Sequence, residues 1–92
     1  MKLSSPIADF LRKAVTDNRL FPSHISLFIA IFHHRKDDPR LEFRISRKRI
    51  MQYSRIKSIA TYHKCLSDLV NEGYIQYKPS FNPLGSLIRL NE

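Results

Sequence analysis

Acid is scarce in this sequence. Eight Asp and Glu oppose sixteen Lys and Arg in 92 residues, a formal charge of +8, and the sequence pI is near 10.1. So large an excess on so short a chain draws polyanions, nucleic acid ahead of an anionic membrane surface. Cysteine is nearly absent too. Cys65 stands alone, which excludes an intramolecular disulfide and suits a reducing compartment. Two glycines leave no material for a phosphate-cradling loop or a low-complexity linker. The longest apolar run, Ile25 to Phe32, is too short to cross a bilayer. The opening Met1-Lys2-Leu3-Ser4-Ser5-Pro6 has no apolar signal core, and a cytoplasmic protein is expected.

Catalytic constellations are missing as well. His63 and Cys65 lie two residues apart on a predicted helix, so they project about 200° apart and cannot form a nucleophile–base pair. Cys65 is expected to be a small core residue. His24, His33, His34 and His63 lack the spacing of metal ligands. The acids are too scattered for a paired-carboxylate site. A binding protein without cofactor or metal is expected, not an enzyme. Basic membrane-surface helices need a large apolar face with flanking cations, and Pro6 to Asp17 offers only Arg12 and Lys13 against two acids.

What is present is helical periodicity. From Pro6 to Asp17, Ile7, Phe10, Leu11, Ala14 and Val15 recur at three- and four-residue steps, and Ser4 or Ser5 can cap the helix. Leu20-Phe21-Pro22 reads as an extended connector. Ser23 is a good cap for a second helix running to about Lys36, apolar around most of its circumference and so expected at the centre of the core. Its basic last turn, His33-His34-Arg35-Lys36, suits the helix dipole, and Asp37-Asp38-Pro39 ends it.

Leu41 to Ile45 reads as a short strand. Ser46 caps a short helix through about Tyr53, with Ile50 and Tyr53 inward; Ser54 to Lys57 is a turn. Ser58 caps a further helix through about Glu72, with Tyr62, Leu66, Leu69 and Val70 on one face and Cys65 beside them. Gly73 stands where a left-handed residue is wanted. Tyr74–Lys78 and Ser86–Leu90 are strands of a hairpin whose broad tip, Pro79 to Gly85, carries turn formers.

The order helix, helix, short strand, short helix, turn, helix, hairpin resembles the winged-helix family of helix-turn-helix proteins over about Ser23 to Leu90. Ile45 to Ile50 match the first helix of the pair and Ser58 to Gly73 the recognition helix. The run Leu66-Ser67-Asp68-Leu69-Val70-Asn71-Glu72-Gly73-Tyr74-Ile75 is similar to that family's helix-to-wing hinge. The resemblance implies one mainly α (α+β) domain over residues 1–92. It would comprise an N-terminal helix and connector (1–22), a three-helix core (23–73) and a wing hairpin (74–92). It also implies that the recognition helix enters the major groove of double-stranded DNA, where Ser58, Ala60, Thr61, His63 and Lys64 would face bases or phosphates. The wing would add Lys78 and Asn82. Phe81 at its tip is unusual for a solvated loop.

Charge placement leads to the same surface without the family. From Phe43 to Ser67 there are seven basic residues, Arg44, Arg47, Lys48, Arg49, Arg55, Lys57 and Lys64, and no acid. Phosphate contacts of this kind dominate DNA affinity. The expected role is transcriptional regulation, or replication and accessory work on a mobile element, with the N-terminal helix a candidate for homodimerisation. The competing reading is a protein–protein adaptor on the same fold.

Overall fold

The second helix shows how local chemistry sets the frame. Helix α2 spans Pro22–Arg35 and opens on proline, whose missing N–H is no loss in a first turn. The Phe21 carbonyl accepts from the N–H groups of His24 (2.9 Å) and Ile25 (3.3 Å), which makes Phe21 the cap. The cap is reciprocated, because the Phe21 N–H donates to His24 Nδ1 at 2.8 Å. Ser23, expected as the cap, lies inside the helix and accepts from the Cys65 thiol at 3.3 Å. Leu27, Phe28, Ala30 and Ile31 are buried, while Ile29 is 41% exposed, so one face stays outside the core.

A computed structural model describes residues 6–35, 42–79 and 85–90. Its elements are α1 (Pro6–Ala14), α2, β1 (Glu42–Ile45), α3 (Arg47–Ser54), α4 (Ile59–Asn71), β2 (Ile75–Lys78) and β3 (Ser86–Leu90), an α+β arrangement in the expected order. Lys36, Leu41, Phe81, Asn82 and the side chain of Ile7 lie outside the described residues.

Helix α1 is shorter than its periodicity predicts. The N–H groups of Thr16 and Asp17 bond three residues back, to Lys13 and Ala14, and the tightened turn leaves Val15 84% exposed. Phe10 and Ala14 are buried, and the Phe10 ring stacks on Phe28 with centroids 3.8 Å apart. The inward face of α1 is thus used by the molecule's own core, and Leu11 on α1 and Val15 just beyond its end are exposed apolar residues.

The sheet is antiparallel with order β1-β3-β2. The last strand lies in the middle, with Phe43 opposite Ile88 on one side and Tyr77 opposite Ile88 on the other. Alternation then sends Phe43, Ile45, Ile75, Ile88 and Leu90 inward, where they join α1, α2 and α4 in one buried cluster. Gly85, at φ +105°, leads into β3. A Cβ there would collide with the Ile45 carbonyl oxygen, so only glycine fits.

Tyr53 departs from its expected inward place and is 46% exposed. Helix α3 buries Ile50 and Ser54 instead, one helical step apart, and Tyr53 meets the edge of His33 at 5.0 Å. A serine succeeds there because its polar atoms are matched. The Ser54 hydroxyl donates to the Met51 carbonyl and accepts from the Ile56 N–H, both at 3.4 Å, and the Ser26 hydroxyl donates to the Ser54 carbonyl.

Candidate nucleic-acid interface

Two capped helices and the turn between them present the basic residues. Ser46 caps α3, accepting from the Arg49 N–H at 3.5 Å, and Ser58 caps α4, accepting from the Thr61 N–H at 3.2 Å. Arg55 takes a left-handed conformation (φ 63°) to end α3, and Ile56 drops into the core. The chain therefore reverses over a buried residue, and Arg55 and Lys57 on either side of it are exposed.

Arg47, Lys48 and Arg49 occupy the first turn of α3, all exposed, with no acid in that turn. This is the wrong end of a helix for positive charge. The macrodipole disfavours each cation there by about 0.3–1 kcal/mol. No described salt bridge includes any of the three.

Helix α4 buries Tyr62, Cys65, Leu66 and Leu69. At about 100° per residue the outermost stripe is then Ala60, Lys64, Ser67 and Asn71, all exposed. Thr61 and His63 lie exposed on opposite flanks of that stripe, His63 toward the hairpin. Ser67 and Asn71 were not among the expected contacts. Ile59, also unforeseen, is 51% exposed in the first turn. The three-and-four step from Ala60 and Lys64 was the available signal for Ser67 and Asn71.

The other expected contacts have structural partners. Arg44 Nη1 donates to the Gly85 carbonyl at 2.8 Å, bracing β1 against the start of β3. Lys78 pairs with Glu42 at 3.0 Å across the sheet. Ser58 uses its oxygen as the cap of α4. Lys64, itself well exposed, reaches Asp68 at 3.3 Å. The same Asp68 oxygen accepts from His24 Nε2 at 2.8 Å. Since Nδ1 of that ring accepts the Phe21 N–H, its proton lies on Nε2. The His24 hydrogen bond, then Lys64, hold the Asp68 carboxyl below the ordinary carboxylate range against the opposing effect of burial. His24 and Asp68 are 44 positions apart in the chain, and no local pattern announces this link.

Beside the stripe, a cleft of about 380 Å³ opens between the start of α3, the middle of α4 and the hairpin. Arg47, Lys48 and His63 border it, Tyr62 and Tyr77 line it, and no carboxylate does. Among the described residues no group of His, Cys, Asp or Glu is placed to hold a metal ion, and no helix is long and apolar enough to cross a membrane. No family model, curated protein or solved structure matches this chain.

Proposed function

We propose that this chain is a winged-helix protein that binds double-stranded DNA, with α4 in the major groove and the first turn of α3 and the α3–α4 turn on the flanking backbone. The observation that carries the reading is the trio Arg47, Lys48 and Arg49, exposed and without carboxylate partners among the described residues, where the helix dipole opposes positive charge. Stability does not account for cations at that end; a polyanion does. The strand order β1-β3-β2 and the preceding pair of capped helices agree with the resemblance drawn from sequence. The hairpin, with Lys78 at its described base, is the wing.

On this reading Ala60 and Lys64 meet base edges first, with Thr61 and His63 to either side. Lys64 exchanges Asp68 for a phosphate or guanine on binding. Transcriptional regulation, or replication and accessory work on a mobile element, is the role such a module suits. Leu11 on α1 and Val15 just beyond it are the residues through which this segment would dimerise, placing two recognition helices on a two-fold site.

A protein-adaptor reading has one observation in its favour, an apolar hollow lined by Pro22, Ile25, Ile29 and Tyr53 on the α2–α3 side. Fluorescence anisotropy with mixed-sequence duplex DNA across a salt series separates the two. DNA binding requires affinity that falls steeply with salt. A folded protein that binds no duplex at low salt refutes the DNA reading and leaves the hollow as the functional face.

A further inference from the structure

The cleft beside α4 contains a buried tyrosine whose polar group the described residues do not use. Tyr62 is 3% exposed, yet its hydroxyl makes no hydrogen bond to any described residue. Buried hydroxyls are ordinarily partnered, and this one lines the cleft with an oxygen that is not sealed from solvent. Its electrostatic neighbours are Tyr77 and Arg47, both on the cleft wall. Tyr77 is committed elsewhere, donating to Ser86 Oγ at 3.2 Å. Burial pushes the Tyr62 hydroxyl up to about 12, so at neutral pH it is a protonated donor waiting for an acceptor.

Around that hydroxyl the surroundings are those an anion requires. The N–H groups of Arg47 and Lys48, first and second in α3, have no acceptor within the helix. They lie at the positive end of its dipole, and their own side chains add two cations. His63 stands on the α4 side, its ring edge-on to Tyr62 at 5.3 Å. A water molecule would satisfy the hydroxyl alone; a tetrahedral phosphoryl anion would satisfy the hydroxyl, the helix end and the cations together.

We propose that this cleft is a seat for a phosphoryl anion, held by the Tyr62 hydroxyl, the free N–H groups of Arg47 and Lys48, and the side chains of Arg47, Lys48 and His63. The phosphoryl group comes either from a DNA backbone phosphate or from a small phosphorylated ligand. Only the first source rests on the DNA reading above. A backbone phosphate locked here would fix the register of α4 in the groove, because the seat joins α3, α4 and the hairpin at one point. Tyr62 then performs two tasks, its ring in the core and its oxygen in the site.

The test is an amide-resolved NMR titration of the whole chain with inorganic phosphate, alongside DNA anisotropy, for the parent and Tyr62→Phe. Phenylalanine keeps the ring, so the melt should be preserved. Saturable shifts at the Arg47 and Lys48 amides are expected, with affinity for phosphate and DNA about tenfold weaker in Tyr62→Phe, the range of one hydrogen bond to a charged group. The salt slope of the variant should equal the parent's, because a hydroxyl releases no counterion. Phosphate shifts without any DNA binding would uphold the seat, assign it to a small ligand and defeat the DNA reading. DNA binding with no response at Arg47 and Lys48, or a folded Tyr62→Phe equal to the parent, overturns the seat and leaves the DNA reading standing. If Tyr62→Phe does not fold, the pattern of amide shifts in the parent decides.

Discussion

Replacing Arg47 and Lys48 together by alanine should move stability and DNA affinity in opposite directions. Both side chains are exposed in the first two positions of α3, so alanine removes no packing and is the better helix former. Two unfavourable charge–dipole contacts disappear, which should raise stability by about 0.5–2 kcal/mol, or a few degrees in melting temperature for a chain of this size. Binding should respond the other way. Each phosphate contact contributes about −0.9 to the slope of log K against log salt. Losing two flattens the slope by about 1.8, so a fourfold rise in salt costs the variant about twelvefold less affinity than it costs the parent.

The control is Arg12→Ala with Lys13→Ala on α1, which lowers the formal charge of +8 by the same amount. Arg12 there pairs with Asp9 at 2.8 Å, away from the α3–α4 face. Anisotropy on one duplex over about 50–200 mM salt gives the three slopes, and differential scanning calorimetry gives the three melts. If both double variants flatten the slope equally, only net charge matters and the α3 surface is no site. If the Arg47, Lys48 variant loses stability, the dipole argument for a functional cost fails.

Further expectations concern the frame that holds this surface. The Asp17 carboxylate accepts two hydrogen bonds from the Arg19 side chain at 2.9 Å and one from the Tyr74 hydroxyl at 2.7 Å, and these hold it well below the ordinary carboxylate value of 3.8. A depressed folded value means stability is fully present above 3.8 and drains away as pH falls below it. Asp17→Asn should therefore melt lower than the parent at neutral pH, and the gap should close in acid; a constant gap between pH 7 and pH 2 would contradict this. His24→Ala should lower stability by about 2–4 kcal/mol, from the lost α2 cap and the bond to Asp68, read as the urea midpoint. A change under about 0.5 kcal/mol would show the link to be decorative. The two described positive-φ glycines should differ: Gly73→Ala, with open space around it, costs about 1–2 kcal/mol of left-handed strain. Gly85→Ala collides with the Ile45 carbonyl and should lose the β1–β3 pairing, visible as collapsed amide protection in Phe43 and Ile88; equal effects of the two would refute the close approach.

Most of the local structure was legible because its signals are local. Ser46 and Ser58 read as caps and act as caps; Gly73 takes the positive φ its place required; and Tyr62, Leu66 and Leu69 follow helical spacing into the core. The acid-free run from Phe43 to Ser67 already marked one surface, since charge counts survive folding unchanged. Errors arose where the deciding contact was distant. Tyr53 had the right spacing for burial, but Ser54 fits under α2 by bonding Ser26 and so takes the inner place. Ser23 looked like a cap, but the His24 ring, fixed from the far side by Asp68, caps from Phe21 instead.

The chain's own residues, read in order, thus determined its polarity, its helices and strands, and the stretch in which cations gather. Only the tertiary structure decided which cations have no ion-pair partner among the described residues. Lys78 and Arg44 are taken by Glu42 and Gly85 across the sheet, whereas Arg47, Lys48 and Arg49 remain on an exposed helix end. It alone set β3 between β1 and β2 and brought His24 to Asp68. It also left one buried hydroxyl, that of Tyr62, without a partner among the described residues. Periodicity states which face of an element is apolar. It does not state what that face, or the charge beside it, will meet once residues far apart in the chain are packed together.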